Sequence, residues 1–511
     1  MSNTQKNDLS ALQNGSDIRG IAMQTVDKEV TLPNQVIEKI GYGFAVWLKE
    51  KKHLAVDSLD KPVKVAVGHD SRLSGERIKT ALIEALTNAG IDVVDVGLAT
   101  TPALFMATQY EQYDCEASIM ITASHLPFEY NGLKFFTASG GAEHEDIAYI
   151  LEHADWDAVT WENNQGVTMK KNLLEEYSAD LRKKIISGIK TASNPDMPLK
   201  GKHIVVDAGN GAGGFFATEV LEKLGADISG SQFLEPDGHF PNHVPNPDNK
   251  EAMESIKTAV LENKADMGVI FDTDVDRSAL VDRNGQAVNR NNLIAVISAI
   301  AIQENPGTTI VTSSATSEHL KDFIEQLGGH QNRYITGYRN VINQAIKLNQ
   351  EGTHTSVAIE TSGHAALKEN YFLDDGAYLI AKILIADAEM AVDGKNFSSL
   401  LENLKQPVET DEVRFKITTD TVQQTGETVI EAFSKFIQEA PDLEVEPDNL
   451  EGVRANTLGR YGSGWLQMRM SLHEPLLVLY FESNQKDAIA QLKNDIRSFF
   501  MKQEGIDTSS L

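Results

Sequence analysis

Apolar and polar positions follow a repeating grammar along the chain. Three short apolar runs, Val63–Val67, His203–Val206 and Thr309–Val311, each lead into a loop of small and polar residues. These loops are His69–Arg72, Asp207–Gly214 and Thr312–Ser317, and a helical pattern follows each. Short apolar runs closed by turn residues predict buried strands. Strand–loop–helix units in series predict α/β domains with mixed, largely parallel sheets. The three starts lie roughly 100–140 residues apart, a spacing that suggests a structural repeat.

The last hundred residues have a different pattern. Val413–Ile417, Trp465–Met470 and Leu476–Phe481 read as strands, and Thr421–Phe436 and Lys486–Lys502 as amphipathic helices. This predicts an α+β domain with helices on one face of an antiparallel sheet. Asn, Pro and Gly cluster near Thr191–Pro198 and Glu304–Gly307, and another break falls near Asn403–Val408. The expected division is 1–195, 196–305, 306–405 and 406–511.

A chain of 511 residues exceeds what one core usually supports, which agrees with several domains. The 74 acidic residues against 46 basic ones leave a net charge of −28, which argues against general nucleic-acid or anionic-membrane binding. An anionic ligand would need a local basic pocket. The single cysteine, Cys115, excludes an intrachain disulfide and reads as strand-edge packing. Met1–Ser16 is polar and lacks a signal-peptide core, and no apolar run is long enough to span a bilayer. A cytoplasmic protein is expected.

Five loops carry candidate chemistry. In Phe271–Arg277, Asp272, Asp274 and Asp276 alternate after the apolar Met267–Ile270. Three such carboxylates can converge on one hard divalent cation; the plain alternative is a polar turn. An EF-hand is excluded because Arg277 and Arg283 stand where Gly and Glu are needed. A haloacid-dehalogenase-type phosphatase is disfavoured by Asp276 and by the position deep in the chain. Arg277 beside the carboxylates suggests a phosphate held near the metal.

The second loop, Thr122–Pro127, places Ser124 and His125 at a strand end, with Lys134 ten residues after the serine. A serine there acts as nucleophile or phosphate carrier only with a base or a metal-bound phosphate beside it; otherwise it is a turn. The third, Gly209–Gly214, satisfies G-x-G-x-x-G but lacks the acid that closes a dinucleotide site, and reads as a tight, closely packed turn. The fourth, Glu360–His364, follows the strand Thr355–Ile359. Its Glu, Ser and His suit polyol hydroxyls, or simply start a helix. The fifth, Arg469–Pro475, offers Arg469, Ser471 and His473 at alternate positions, a phosphate cradle or a strand-to-turn edge.

In this order the loops resemble the α-D-phosphohexomutase family, which includes phosphomannomutase and phosphoglucomutase. Further marks are Ser16–Gly20, Val67–Arg72, Asp237–Pro241 and Pro245–Pro247, so the resemblance runs to about Glu482. It implies four domains around a central cleft. It implies that Ser124 carries phosphate and that this phosphoserine, with Asp272, Asp274 and Asp276, holds Mg²⁺. By the same resemblance Arg19, His125 and Lys134 lie near the transferring phosphate, with Lys134 moving the proton. Glu360, Ser362 and His364 would bind sugar hydroxyls, and Arg277 and Arg339 would also face substrate. Arg469, Ser471 and His473 would hold the phosphate that is not transferred.

The implied reaction moves phosphate reversibly between C1 and C6 of a glucose or mannose phosphate, with a hexose 1,6-bisphosphate as intermediate and activator. A monomer or homodimer acting on a small molecule is expected. Thr273 and Val275 stand where the family usually has glycine, Leu126 where it has Asn, Ile359 where it has Gly and His473 where it has Thr. These departures point to a divergent branch. They leave open a phosphoglucosamine mutase, or a sugar-phosphate-binding protein that has lost turnover.

Overall fold

A computed structural model describes residues 9–54, 62–154, 165–472 and 474–511. The chain forms two compact units: Met1–Leu293 with Ser362–Ser399, and Ile294–Thr361 with Leu400–Leu511.

The first unit holds two sheets. In the larger, Ala117–Ile121, Lys64–His69, Asp92–Leu98 and Thr168–Lys170 run parallel. Tyr130–Thr137 joins Ala117–Ile121 antiparallel and Asp17–Ile21 extends that edge. Every residue of Ala117–Ile121 is buried, as expected for a strand covered on both faces. The helix Asn34–Glu50 supplies Phe44 and Trp47 to the core, with Leu82 from Gly75–Asn88 and Ile150 from His144–Glu152. Gly43 permits one close approach: a Cβ there would stand 2.1 Å from the Ile150 carbonyl oxygen.

The second sheet runs Ala287–Val288, Ser278–Asp282, Met267–Phe271, Ile204–Asp207. Only Ile204–Asp207 and Met267–Phe271 are parallel. Met267–Phe271 and Ser278–Asp282 pair antiparallel, so the three-aspartate segment is the tip of a hairpin. The helix Lys250–Asn263 covers this sheet through Ile256 and Val260. The hairpin Ala365–Leu367 with Leu373–Asp374 and the helix Gly376–Met390 complete the unit.

In the second unit, His330–Tyr334, Thr309–Ser313 and Thr355–Ile359 form parallel pairs about Thr309–Ser313. Five antiparallel strands follow in the order Glu409–Lys416, Leu476–Ser483, Gly464–Met470, Val453–Thr457, Leu443–Val445. Phe433 of Val422–Glu439 and Leu492 of Ala488–Phe500 share a core with Phe415, Leu466 and Leu479, so both helices cover one face, as the pattern predicts. Among the described residues no helix is long and apolar enough to cross a membrane.

Candidate active site

The serine loop starts where the buried strand Ala117–Ile121 ends. Thr122 turns inward: its hydroxyl donates to Asp70 at 2.6 Å and accepts from the Ser124 amide at 2.9 Å. Ser124 has φ 51°, a strained value for a residue with a side chain. Arg72 keeps the loop in that shape. Its guanidinium donates to the carbonyl oxygens of Ser124 and Leu126 at 2.5 Å, Pro127 at 2.8 Å and Tyr130 at 2.9 Å. Asp70, fully buried beneath it, has its pKa pushed up to about 6 by desolvation, against the pull of Arg72 and Thr122.

The Ser124 hydroxyl meets the three-aspartate hairpin. Its Oγ donates to Asp272 at 3.1 Å and accepts from Arg277 Nη2 at 2.7 Å. The same Nη2 lies 2.7 Å from His125 Nδ1 and 2.9 Å from Asp272. Burial, then Arg277 and Arg19, push the His125 pKa down to about 2, so the ring is neutral and Nδ1 accepts from the arginine.

Asp272, Asp274 and Asp276 are at most 1% exposed. Thr101 holds Asp274 by side chain at 2.5 Å, and its amide donates to the Asp274 carbonyl at 2.9 Å. Lys134 donates to Asp276 at 3.0 Å and lies 3.7 Å from Asp17, which also pairs with Arg19 at 3.0 Å. Desolvation, with repulsion from Asp276, raises the pKa of Asp272 well above the carboxylate range and raises that of Asp274. Against desolvation, Lys134, His364 and Arg277 hold that of Asp276 well below it.

The residues fit a divalent metal. One oxygen from each carboxylate lies within 4.8 Å of the others, and Asp274 Oδ1 and Asp276 Oδ1 are buried with no hydrogen-bond partner among the described residues. Buried acceptors left unpaired at this cost are what a hard cation satisfies. His364 Nδ1 lies 4.0 Å from Asp276 Oδ1 and pairs with Asp374. Although burial works against it, Asp374 and Asp276 raise the His364 pKa.

The other expected residues assemble in the second unit, except Ser362, whose buried Oγ has no hydrogen-bond partner among the described residues. Glu360 accepts from the Gly337 amide at 2.7 Å, just before Arg339 on the helix Tyr338–Gln350. Arg339 reaches Asn343 at 3.3 Å. Arg469, near the end of Gly464–Met470, donates to the Met470 carbonyl at 2.9 Å and to Tyr480 Oη at 2.8 Å. Ser471 Oγ accepts from the Glu474 amide at 3.4 Å. His473 lies outside the described residues.

Comparison with known proteins places this geometry. Three models, for phosphoglucomutase/phosphomannomutase alpha/beta/alpha domains I, II and III, match residues 11–156, 175–285 and 289–408. The chain belongs to the phosphoglucomutase/phosphomannomutase family. It is 30% identical over 491 residues to a phosphomannomutase/phosphoglucomutase of Pseudomonas putida, covering 96% of this chain and 95% of the relative. A phosphoglucomutase of Neisseria gonorrhoeae is 30% identical over 94% of this chain and 95% of its own. The crystal structure of a phosphoglucomutase/phosphomannomutase family protein from Burkholderia thailandensis superposes with TM-score 0.78, at 27% identity and 99% coverage of both chains. A Paramecium phosphoglucomutase shares the fold at TM-score 0.70 and 17% identity, over 95% of this chain and 93% of its own.

Within this phosphohexomutase framework the sequence departures acquire a physical account. Val275 takes φ 65° while fully buried, so a β-branched residue occupies a left-handed position that favours glycine. Thr273 needs no such conformation. Its carbonyl accepts from the Ala212 amide at 2.8 Å, and a Cβ on Gly211 would stand 2.7 Å from that oxygen. The Gly209–Gly214 turn is thus a close-packed support for the hairpin, in line with the tight turn its sequence predicts. Leu126 serves Arg72 through its backbone carbonyl. Ile359 ends a strand and is fully buried.

The sequence assigns no role to Asp17, Asp70, Arg72, Thr101 or Asp374, all of which touch this cluster or hold its loops. Asp17, Asp70 and Arg72 stood in the motifs that carried the resemblance. Thr101 and Asp374 stood in none.

Proposed function

We propose that this protein is a phosphohexomutase that moves phosphate reversibly between C1 and C6 of glucose or mannose phosphate through phosphorylated Ser124. The observation that carries the reading is the Ser124 hydroxyl held between Asp272 and Arg277 above a buried three-aspartate hairpin. Family membership supports the same reaction class.

In this reading Asp272, Asp274 and Asp276 hold Mg²⁺, which when bound neutralises charge on the serine phosphate. Arg277 steadies the Ser124 oxygen as it becomes the leaving group. The phosphorus–oxygen bond to Ser124 breaks as the bond to a sugar oxygen forms, and the sugar hydroxyl's proton ends on Ser124 Oγ. The neutral His125 ring lies 3.3 Å from Oγ with its Nδ1 held by Arg277, so it positions the serine loop without carrying the proton. Lys134, to which the sequence reading gives proton transfer, is ion-paired with Asp276 and Asp17, an arrangement suited to supplying charge. Such a division suits phosphoryl transfer, which depends on positioning and charge neutralisation.

Glu360, Ser362 and His364 are assigned to sugar hydroxyls, Arg277 and Arg339 to substrate, and Arg469, Ser471 and His473 to the non-transferred phosphate. A hexose 1,6-bisphosphate activator, a cytoplasmic setting and the division at 195, 305 and 405 belong to the same proposal. The test compares wild type with Ser124→Ala on glucose 1-phosphate and mannose 1-phosphate, with Mg²⁺ and catalytic hexose 1,6-bisphosphate. Turnover that collapses in the variant, with one phosphate on the wild-type chain and none on Ser124→Ala, is expected. Failure of wild type to turn over either sugar would refute the assignment.

A further inference from the structure

Glu451 belongs to no motif, yet it joins two loops assigned to substrate. Its Oε2 accepts from the Thr336 amide at 3.1 Å and the Thr336 hydroxyl at 2.7 Å, and the Ser314 hydroxyl also donates to it. The next residue after Thr336, Gly337, donates to Glu360 at 2.7 Å. On its other side, Glu451 Oε2 is 4.0 Å from Arg469 Nε, a buried donor with no hydrogen-bond partner among the described residues. The remaining guanidinium nitrogens of Arg469 are fixed on Met470 and Tyr480. One carboxylate oxygen therefore links the loop that holds Glu360 to the arginine of the phosphate loop.

We propose that Glu451 is a positioning residue that sets the spacing between the Glu360 carboxylate and the Arg469 guanidinium. A hexose phosphate presents its hydroxyls and its far phosphate at a fixed separation, and Glu451 matches the protein to it. This rests on the reading of Glu360 as sugar-binding and Arg469 as phosphate-binding. Cohesion of the unit does not depend on Glu451. Arg454 independently binds the carbonyls of Ser314 and Thr316 at 3.2 and 3.1 Å and Glu318 at 2.7 Å, and Ser317 donates to Glu482 at 2.9 Å. Loss of the Glu451 link should therefore displace the loops without unfolding the segments that carry them.

The experiment measures glucose 1-phosphate isomerisation and thermal midpoint for wild type, Glu451→Ala, Glu451→Asp and Glu451→Gln. Asp keeps the charge but shortens the reach; Gln keeps the reach and an acceptor oxygen. Glu451→Ala and Glu451→Asp should each lose about tenfold or more in kcat/KM, carried mainly by KM because the grip serves ground and transition states alike. Glu451→Gln, which keeps an acceptor for Thr336 but not the charge facing Arg469, should recover part of that loss, with all midpoints close to wild type. A KM unchanged in Glu451→Ala, recovery by Asp and not Gln, or losses that track a falling midpoint would each overturn the proposal. An inactive wild type would instead remove the mutase reading, and this inference with it.

Discussion

Arg72 shows how much of the site depends on one side chain that performs no chemistry. Its four carbonyl partners lie in or beside the serine loop, and a lysine cannot reach them all from a single nitrogen. Arg72→Lys should therefore cost about 2 kcal/mol or more in urea unfolding, because buried carbonyls are left unpaired, and should slow phosphorylation of Ser124. A second buried pair gives a pH signature. His243 lies 3.1 Å from Asp207, and although desolvation opposes it, the bond to and charge of Asp207 raise the His243 pKa. The protonated ring therefore stabilises the fold fully below about pH 6.5, and that contribution fades as pH rises through the raised folded value. The stability gap between wild type and His243→Gln should be widest on the acid side and narrow with rising pH, as read by thermal melts.

At the scale of the element, the three-aspartate hairpin combines strain and charge. Val275 spends the energy of its burial on a left-handed backbone: strain of about 1–3 kcal/mol opposes a burial gain of similar size. Val275→Gly should therefore shift unfolding free energy by at most about 1 kcal/mol. Val269→Gly, equally buried but in the regular strand of the same hairpin, should cost at least about 2 kcal/mol more. Denaturant titration of the two variants checks the contrast. The raised pKa values of Asp272 and Asp274 carry a further consequence, since a bound metal must displace protons from those carboxyls. Mg²⁺ affinity should rise with pH across the acid-to-neutral range, and calorimetry in buffers of different ionisation enthalpy should detect proton release.

For the whole molecule, two units with separate cores predict composite unfolding. Scanning calorimetry should resolve more than one transition, and a Mg²⁺-dependent shift should fall on the transition of the unit that carries the three aspartates. A single two-state transition would contradict this. The two units also interleave in sequence, because residues 362–399 return to the first. His364 thus joins the aspartate hairpin while Glu360, four residues earlier, belongs with Gly337.

Pattern and motif alone determined the α/β units, the helix-covered antiparallel sheet at the C-terminus, and the serine and aspartate loops. These are local signals, set by apolar periodicity and by residue types that chemistry requires at short spacing. Tertiary structure decided the rest. The hairpin at Asp272–Arg277 follows from strand pairing, which depends on hydrogen bonds to residues far along the chain. The strand His330–Tyr334 carries almost no apolar signal and exists because Thr309–Ser313 pairs its backbone. Arg277 belongs on Ser124, 153 positions away, only once both loops are folded. Asp374, Thr101 and Glu451 are ordinary polar residues in the sequence. Their roles come from burial, which makes an unpaired charge costly and so dictates which distant partners must meet.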